Sequence, residues 1–235
     1  MSDYINVIII NLFELTAAIL GTVYISRYRV NGFTRYLVLF LWFTVFVEVV
    51  FGWLPTFIED FSSFKFLENT IFARNKWVYN VYDVISFTFY LLYFVNLIDN
   101  QKYRKISIKI VSIYVLACVV NLAFSGVFFK TNSTFNASVG TILLVLYIIY
   151  YYFQMLQSEK ILEFYKSIPF YVSVGALVFH LIVNPIFIYE QYYSNTTSPE
   201  FVRIFLTILT ILNIFMYSCY AVGFLVCYKK NKSYS

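Results

Sequence analysis

The stretch YLVLFLWFTVFVEVVFGWL, from Tyr36 to Leu54, carries a single charge, Glu48, in nineteen residues. At about 1.5 Å per residue, a helix of about 20 residues reaches roughly 30 Å, enough to cross the hydrocarbon core of a bilayer. Backbone polar groups must be satisfied internally in lipid, and the run is too long for a barrel strand, so it reads as a membrane-spanning helix. Six more runs of this kind lie along the chain. They are Tyr4 to Ile25, Trp77 to Ile98, Ile110 to Phe129, Val139 to Leu156, Ile168 to Ile188 and Ile204 to Tyr228.

Composition agrees with the runs. The 235 residues are 61% hydrophobic and only 12% charged, about half the charged share of a soluble domain. The fold class expected is therefore all-α, a polytopic bundle of seven transmembrane helices forming one domain over residues 1–235. The first apolar run begins almost at Met1 without a basic leader, so it reads as the first span and not as a cleaved signal.

Lys and Arg set the expected orientation. One set of connections holds Arg27, Arg29, Arg35, Lys102, Arg104, Lys105, Lys109, Lys160, Lys166, Lys229, Lys230 and Lys232; the opposite set holds only Lys65, Arg74, Lys76, Lys130 and Arg203. The richer side faces the cytoplasm, which places the N-terminus outside and the C-terminus inside. The net charge of +5 is then a basic lip against anionic membrane lipid, and a nucleic-acid partner is not expected.

The connections are short. The longest, Pro55 to Lys76, has apolar residues at Phe57, Phe61, Phe64, Leu67 and Ile71. That spacing predicts an amphipathic helix lying in the outer interface, either resting on lipid or lidding an outward cavity. Three Asn-x-Ser/Thr sequons, at Asn132, Asn136 and Asn195, fall in connections assigned to the outside and read as ordinary loop residues. Cys118, Cys219 and Cys227 lie within spans and read as packing residues without a disulfide framework.

Ionisable groups inside the spans are the candidate functional residues, because a charge in hydrocarbon costs several kcal/mol unless it meets water, a partner or a proton. They are Glu14, Glu48, Asp83 and His180. Counted from the outer ends of the spans, Asp83 and Glu48 lie roughly 9 Å deep, His180 roughly 12 Å and Glu14 roughly 15 Å. Asn80, Asn121, Asn184 and Asn213 fall in the same outer half, while the inner half offers little beyond Gln154 and Gln157. Asn80, Asp83 and Tyr90 form one polar stripe on the third span, and His180 and Asn184 share a face of the sixth, just before Pro185. The expected ligand- or proton-binding set is Glu14, Glu48, Asn80, Asp83, Tyr90, His180 and Asn184. With His180 the only cation expected at that depth, these acids invite a proton or a small cationic ligand.

Several chemistries lack their residues. No Lys lies between Arg203 and Lys229 for a retinal Schiff base, one His cannot replace the three of seven-helix zinc hydrolases, and no intramembrane protease motif occurs. No catalytic residue, metal site or cofactor is expected, and the chain does not read as an enzyme. The run Asn75-Lys76-Trp77-Val78-Tyr79-Asn80-Val81-Tyr82-Asp83 resembles the third span of small seven-helix membrane proteins of Bacteroidetes-type bacteria. That resemblance implies a bacterial inner membrane and carries no assigned activity.

Two functions fit these residues. One is a receptor-like sensor with an outward polar pocket, signalling through a cytoplasmic or membrane partner. The other is a small proton-coupled transporter. A slide of 132 residues lays Ser26 to Arg35 on Ser158 to Ser167 and Glu48 on His180, the register of a three-plus-one-plus-three repeat. The scarcity of polar residues in the inner half favours the sensor.

Overall fold

The computed structural model describes residues 2–30, 32–190 and 199–233, all helices and connections with no strand among them. Eight α-helices run in chain order through these residues: α1 Ser2–Arg27, α2 Gly32–Val47, α3 Leu54–Asp60, α4 Lys76–Val95, α5 Gln101–Phe124, α6 Thr134–Leu156, α7 Ile168–Glu190 and α8 Pro199–Ser233. Among the described residues, seven helices are long and apolar enough to cross a membrane: Tyr4–Arg27, Gly32–Asp60, Lys76–Val95, Gln101–Phe124, Thr134–Leu156, Ile168–Ile188 and Pro199–Lys229.

Several edges differ from the sequence expectation, because hydropathy marks the edge of the hydrocarbon while hydrogen bonding carries the helix on into water. α5 starts nine residues before Ile110, where Asn100 Oδ1 accepts the backbone N–H groups of Lys102 and Tyr103 at 2.9 and 3.4 Å. This cap places Lys102, Arg104, Lys105 and Lys109 on helix, not in a loop. α5 stops at Phe124, short of Phe129, because Gly126 takes a positive φ of 69° just beyond it, the usual left-handed stop. α6 begins at Thr134, so Asn136 is a first-turn residue rather than part of a loop. α7 runs through Pro185 without a break.

The segment after α2 departs most. One amphipathic helix over residues 57–71 is not formed. Instead a π turn, Glu48–Gly52, leads to the short α3, and two 3₁₀ turns come next at Ser62–Leu67 and Ile71–Ala73. Pro55 has no N–H to offer the carbonyl of Phe51, and Asn75 Nδ2 takes that carbonyl at 3.4 Å. Extended backbone at Phe61 (φ −115°, ψ 122°) then ends α3. Aromatic packing fixes the rest. Phe57 stacks on Trp53 and Phe64 and meets Phe61 edge-on, with centroids 5.9–6.2 Å apart.

The chain groups into two compact units, Met1–Val45 with Ile148–Ser235, and Phe46–Tyr147. In the first, α8 packs against both α1 and α7, and small residues permit the approach. A Cβ on Gly21 would lie 2.8 Å from Val38 and 3.0 Å from Phe224; one on Gly223 would lie 2.8 Å from Tyr171. Close backbone approach at small residues is how helices associate where lipid removes the hydrophobic drive. At the ends of α1 and α8, the Tyr28 and Tyr228 rings meet edge-on at 5.3 Å, and Cys227 donates to the carbonyl of Lys166 at 3.4 Å. The exposed Lys166–Glu163 pair beside it, 2.9 Å apart, holds the Lys166 ammonium above its ordinary pKa through that hydrogen bond.

In the second unit α4 is the most enclosed of the long helices, with 56% of its most apolar window buried against 22% for α5 and α6. The buried face of α5 is Ser107, Val111, Tyr114 and Cys118; that of α6 includes Asn136, Gly140 and Leu144. Spacings of three and four put each set on one stripe.

Candidate functional site

The second unit brings two of the expected acids into one neighbourhood. Glu48 opens the π turn at the end of α2, and its Oε2 accepts the phenol of Tyr79 on α4 at 2.8 Å. One turn further along α4, the half-buried Asp83 lies in electrostatic reach of Glu48 and of Lys76. Gly52, one turn after Glu48, makes the pair fit. A Cβ there would stand 3.1 Å from both Glu48 Oε2 and Tyr79 Oη. The carboxylate thus folds back over a glycine of its own helix to reach the phenol.

Lys76 changes the charge balance drawn from the sequence. It is the first residue of α4, two helical turns from Asp83, and its ammonium is felt by that acid. The unit that holds the acids thus has a cation of its own. Two carboxylates and one ammonium, when all are ionised, leave one net negative charge in a partly desolvated place. A proton or a single small cation would balance it.

Asp83 is also felt by Tyr114 and Cys118 of α5. The Tyr114 phenol also donates to the carbonyl of Asn136 at 3.0 Å. Gly140 accommodates that phenol, since a Cβ there would come within 2.6 Å of Tyr114 Oη and of the Phe87 ring. Polar contacts continue from here into the connection between α5 and α6. Asn121 Nδ2 donates to Ser133 Oγ at 2.8 Å and to Asn136 Oδ1 at 3.2 Å.

Asn80 and Tyr90, the other expected residues of this unit, make different contacts. Asn80, buried at 1% exposure, turns to the connection rather than to the acids; its Nδ2 donates to the carbonyls of Phe128 and Thr131, both at 2.9 Å, and its Oδ1 accepts the Ser133 N–H. Tyr90 is buried two turns below Asp83 with its ring edge-on to Phe89 at 5.6 Å. Glu14, His180 and Asn184 belong to the first unit. Glu14 is 2% exposed and lies on the stripe of Ala17, Ala18, Gly21 and Tyr24 that forms the buried face of α1. His180 and Asn184 are half-buried on α7, in line with Ala176 and Val183.

Tyr79, Gly52, Lys76 and Tyr114 were not among the residues expected from the sequence. One signal pointed to Gly52: a Glu and a Gly four apart on a helix leave room for the carboxylate to lie along the helix surface. Asn136, at 0% exposure, is enclosed by its own network and is no acceptor for a glycan in the folded chain. Asn195 lies outside the described residues. No group of three His, Cys, Asp or Glu side chains able to hold a metal occurs among the described residues. No protein-family model, curated protein or solved structure matches this chain.

Proposed function

We propose that the protein is an integral membrane sensor that binds a small cationic ligand at Glu48 and Asp83 and signals through a cytoplasmic or membrane partner. The observation that carries this reading is the two-acid, one-lysine set of Glu48, Asp83 and Lys76 beside the Tyr79 phenol. With both acids ionised the set would carry one unbalanced negative charge beside a phenol ring, which suits an ammonium. The positive-inside count favours the outer face of the membrane for this end of the helices, and the likeness of the Asn75–Asp83 run favours a bacterial inner membrane. Short connections leave transmission to a partner, and no catalytic step belongs to this reading.

The experiment is a titration of the purified protein in nanodiscs with methylammonium, choline and tetramethylammonium. Saturable binding that is lost in Asp83→Asn supports the proposal. Absence of saturable binding for every amine at neutral pH overturns it.

A proton-coupled transporter is the second reading, favoured by one contact. The Tyr147 phenol donates to the carbonyl of the buried Ser107 at 3.4 Å. It adds a polar pair near the basic start of α5, in addition to Gln154 and Gln157. Amine-driven acidification or solute uptake in proteoliposomes decides for the transporter.

A further inference from the structure

Three features meet at the end of α2. The π turn begins at Glu48 itself; its last residue, Gly52, is the one that leaves space for the Glu48–Tyr79 bond; and Asn75 at the start of α4 holds the Phe51 carbonyl that Pro55 frees. A π turn carries an extra residue within one helical turn and is less stable than the regular helix, so it persists only where neighbouring contacts hold it. Here both contacts come from α4. The Glu48–Tyr79 bond is the stronger, since it is shorter and its acceptor is a carboxylate.

We propose that the Glu48–Tyr79 bond is a latch on the π turn, and that a proton or ammonium arriving between Glu48 and Asp83 opens it. This deepens the binding reading above and rests on it for the identity of the cation. With the carboxylate neutralised, the phenol loses its charged acceptor. The Glu48–Gly52 segment then rewinds into regular helix. Removing the extra residue advances the chain after Gly52 by about 1.5 Å and turns it by about 100°. α3 and its aromatic cluster thereby move relative to α4, giving a binding event a mechanical output.

The titratable groups facing the latch are Lys76, Tyr79 and Asp83 from α4, with Tyr114 and Cys118 from α5 reaching it through Asp83. Glu59 and Asp60 on α3 are exposed. Acid neutralises the two carboxylates first and leaves Lys76 charged, so the latch opens as pH falls.

The test is a pair of spin labels on unnatural amino acids at the exposed positions Asp60 and Val81, with the three native cysteines left in place. Double electron–electron resonance is read in nanodiscs across pH and with methylammonium. The wild type should show one distance population at alkaline pH and a second one in acid or with the amine. Tyr79→Phe should show the second population at every pH. Gly52→Ala, whose added methyl crowds both latch oxygens, should do the same and serves if Tyr79→Phe does not fold. One unchanged distance distribution in wild type and variants at all pH values overturns the latch. So does amine binding with no change in distance, which leaves the binding reading standing. A distance change driven by acid in a protein that binds no amine keeps the latch and removes the cationic ligand.

Discussion

Asn80 Oδ1 accepts the backbone N–H of Ser133 at 2.9 Å across 53 residues, and its Nδ2 holds the Phe128 and Thr131 carbonyls at the same distance. One amide thus fixes the connection between α5 and α6 to α4, using both of its donor hydrogens and an acceptor site. Each such bond contributes about 1 kcal/mol net, and buried groups left without partners cost more.

Asn80→Ala should therefore destabilise the folded protein by about 2–3 kcal/mol. Asn80→Asp should be no rescue, since a carboxylate accepts from Ser133 but cannot donate to the two carbonyls. Chemical denaturation in detergent measures the difference. A loss below about 0.5 kcal/mol would show that the connection holds without the clamp.

Glycines of the first unit offer a paired test. A Cβ on Gly21 would meet Val38 at 2.8 Å and Phe224 at 3.0 Å, whereas one on Gly32 has a single neighbour, Tyr36, at 3.8 Å. Gly21→Ala should cost about 1–3 kcal/mol by overpacking the α1–α8 contact. Gly32→Ala, at the start of α2, should be neutral or slightly stabilising, by less than about 1 kcal/mol. Equal midpoints for the two variants in a thermal melt would contradict the close packing at Gly21.

The seven long helices were legible because composition and run length act on every residue of a span. Counting along the spans gives Glu48 and Asp83 similar expected depths, and the two share one neighbourhood. What a side chain faces was less legible. Asn80 lies three residues from Asp83 and shares its stripe by spacing, but its partners are backbone groups of a loop about 50 residues away, which no local pattern encodes. The 57–71 segment misled for another reason. Aromatics every three or four residues suit an α-helix and a chain of 3₁₀ turns alike, and extended backbone at Phe61 decided between them. Tyr79 reads from the sequence as a ring beside the stripe, and its role as donor to Glu48 carries no signal until the carboxylate partner is seen.

Orientation is open to direct labelling. The positive-inside count predicts that Leu162, in the 3₁₀ turn Glu159–Lys166, faces the cytoplasm, and that Phe66, in the turn Ser62–Leu67, faces outward. Both are highly exposed, at 78% and 74%, so a cysteine at either place is reachable. With the native cysteines replaced, an impermeant maleimide added to intact cells should modify Phe66→Cys and spare Leu162→Cys. The opposite pattern would invert the topology and turn the Glu48–Asp83 neighbourhood toward the cytoplasm.

Asp83 is the residue on which the binding proposal turns. It lies in electrostatic reach of Glu48 and Lys76, and of Tyr114 and Cys118 on α5. Asp83→Asn keeps the shape and most hydrogen bonding while removing the charge. If the acid serves only as a hydrogen-bonding link between helices, the amide replaces it, and such links in membrane bundles average only about 0.6 kcal/mol. Expression and melting should then match the parent, and binding should too. If Asp83 balances a bound ammonium, the variant should fold equally well yet bind methylammonium at least about tenfold more weakly, a loss of about 1.4 kcal/mol. Lys76→Met supplies the opposite sign, because removing the competing ammonium should tighten amine binding. Unchanged affinity in both variants, at parental stability, would take the charge of Asp83 out of the binding reaction.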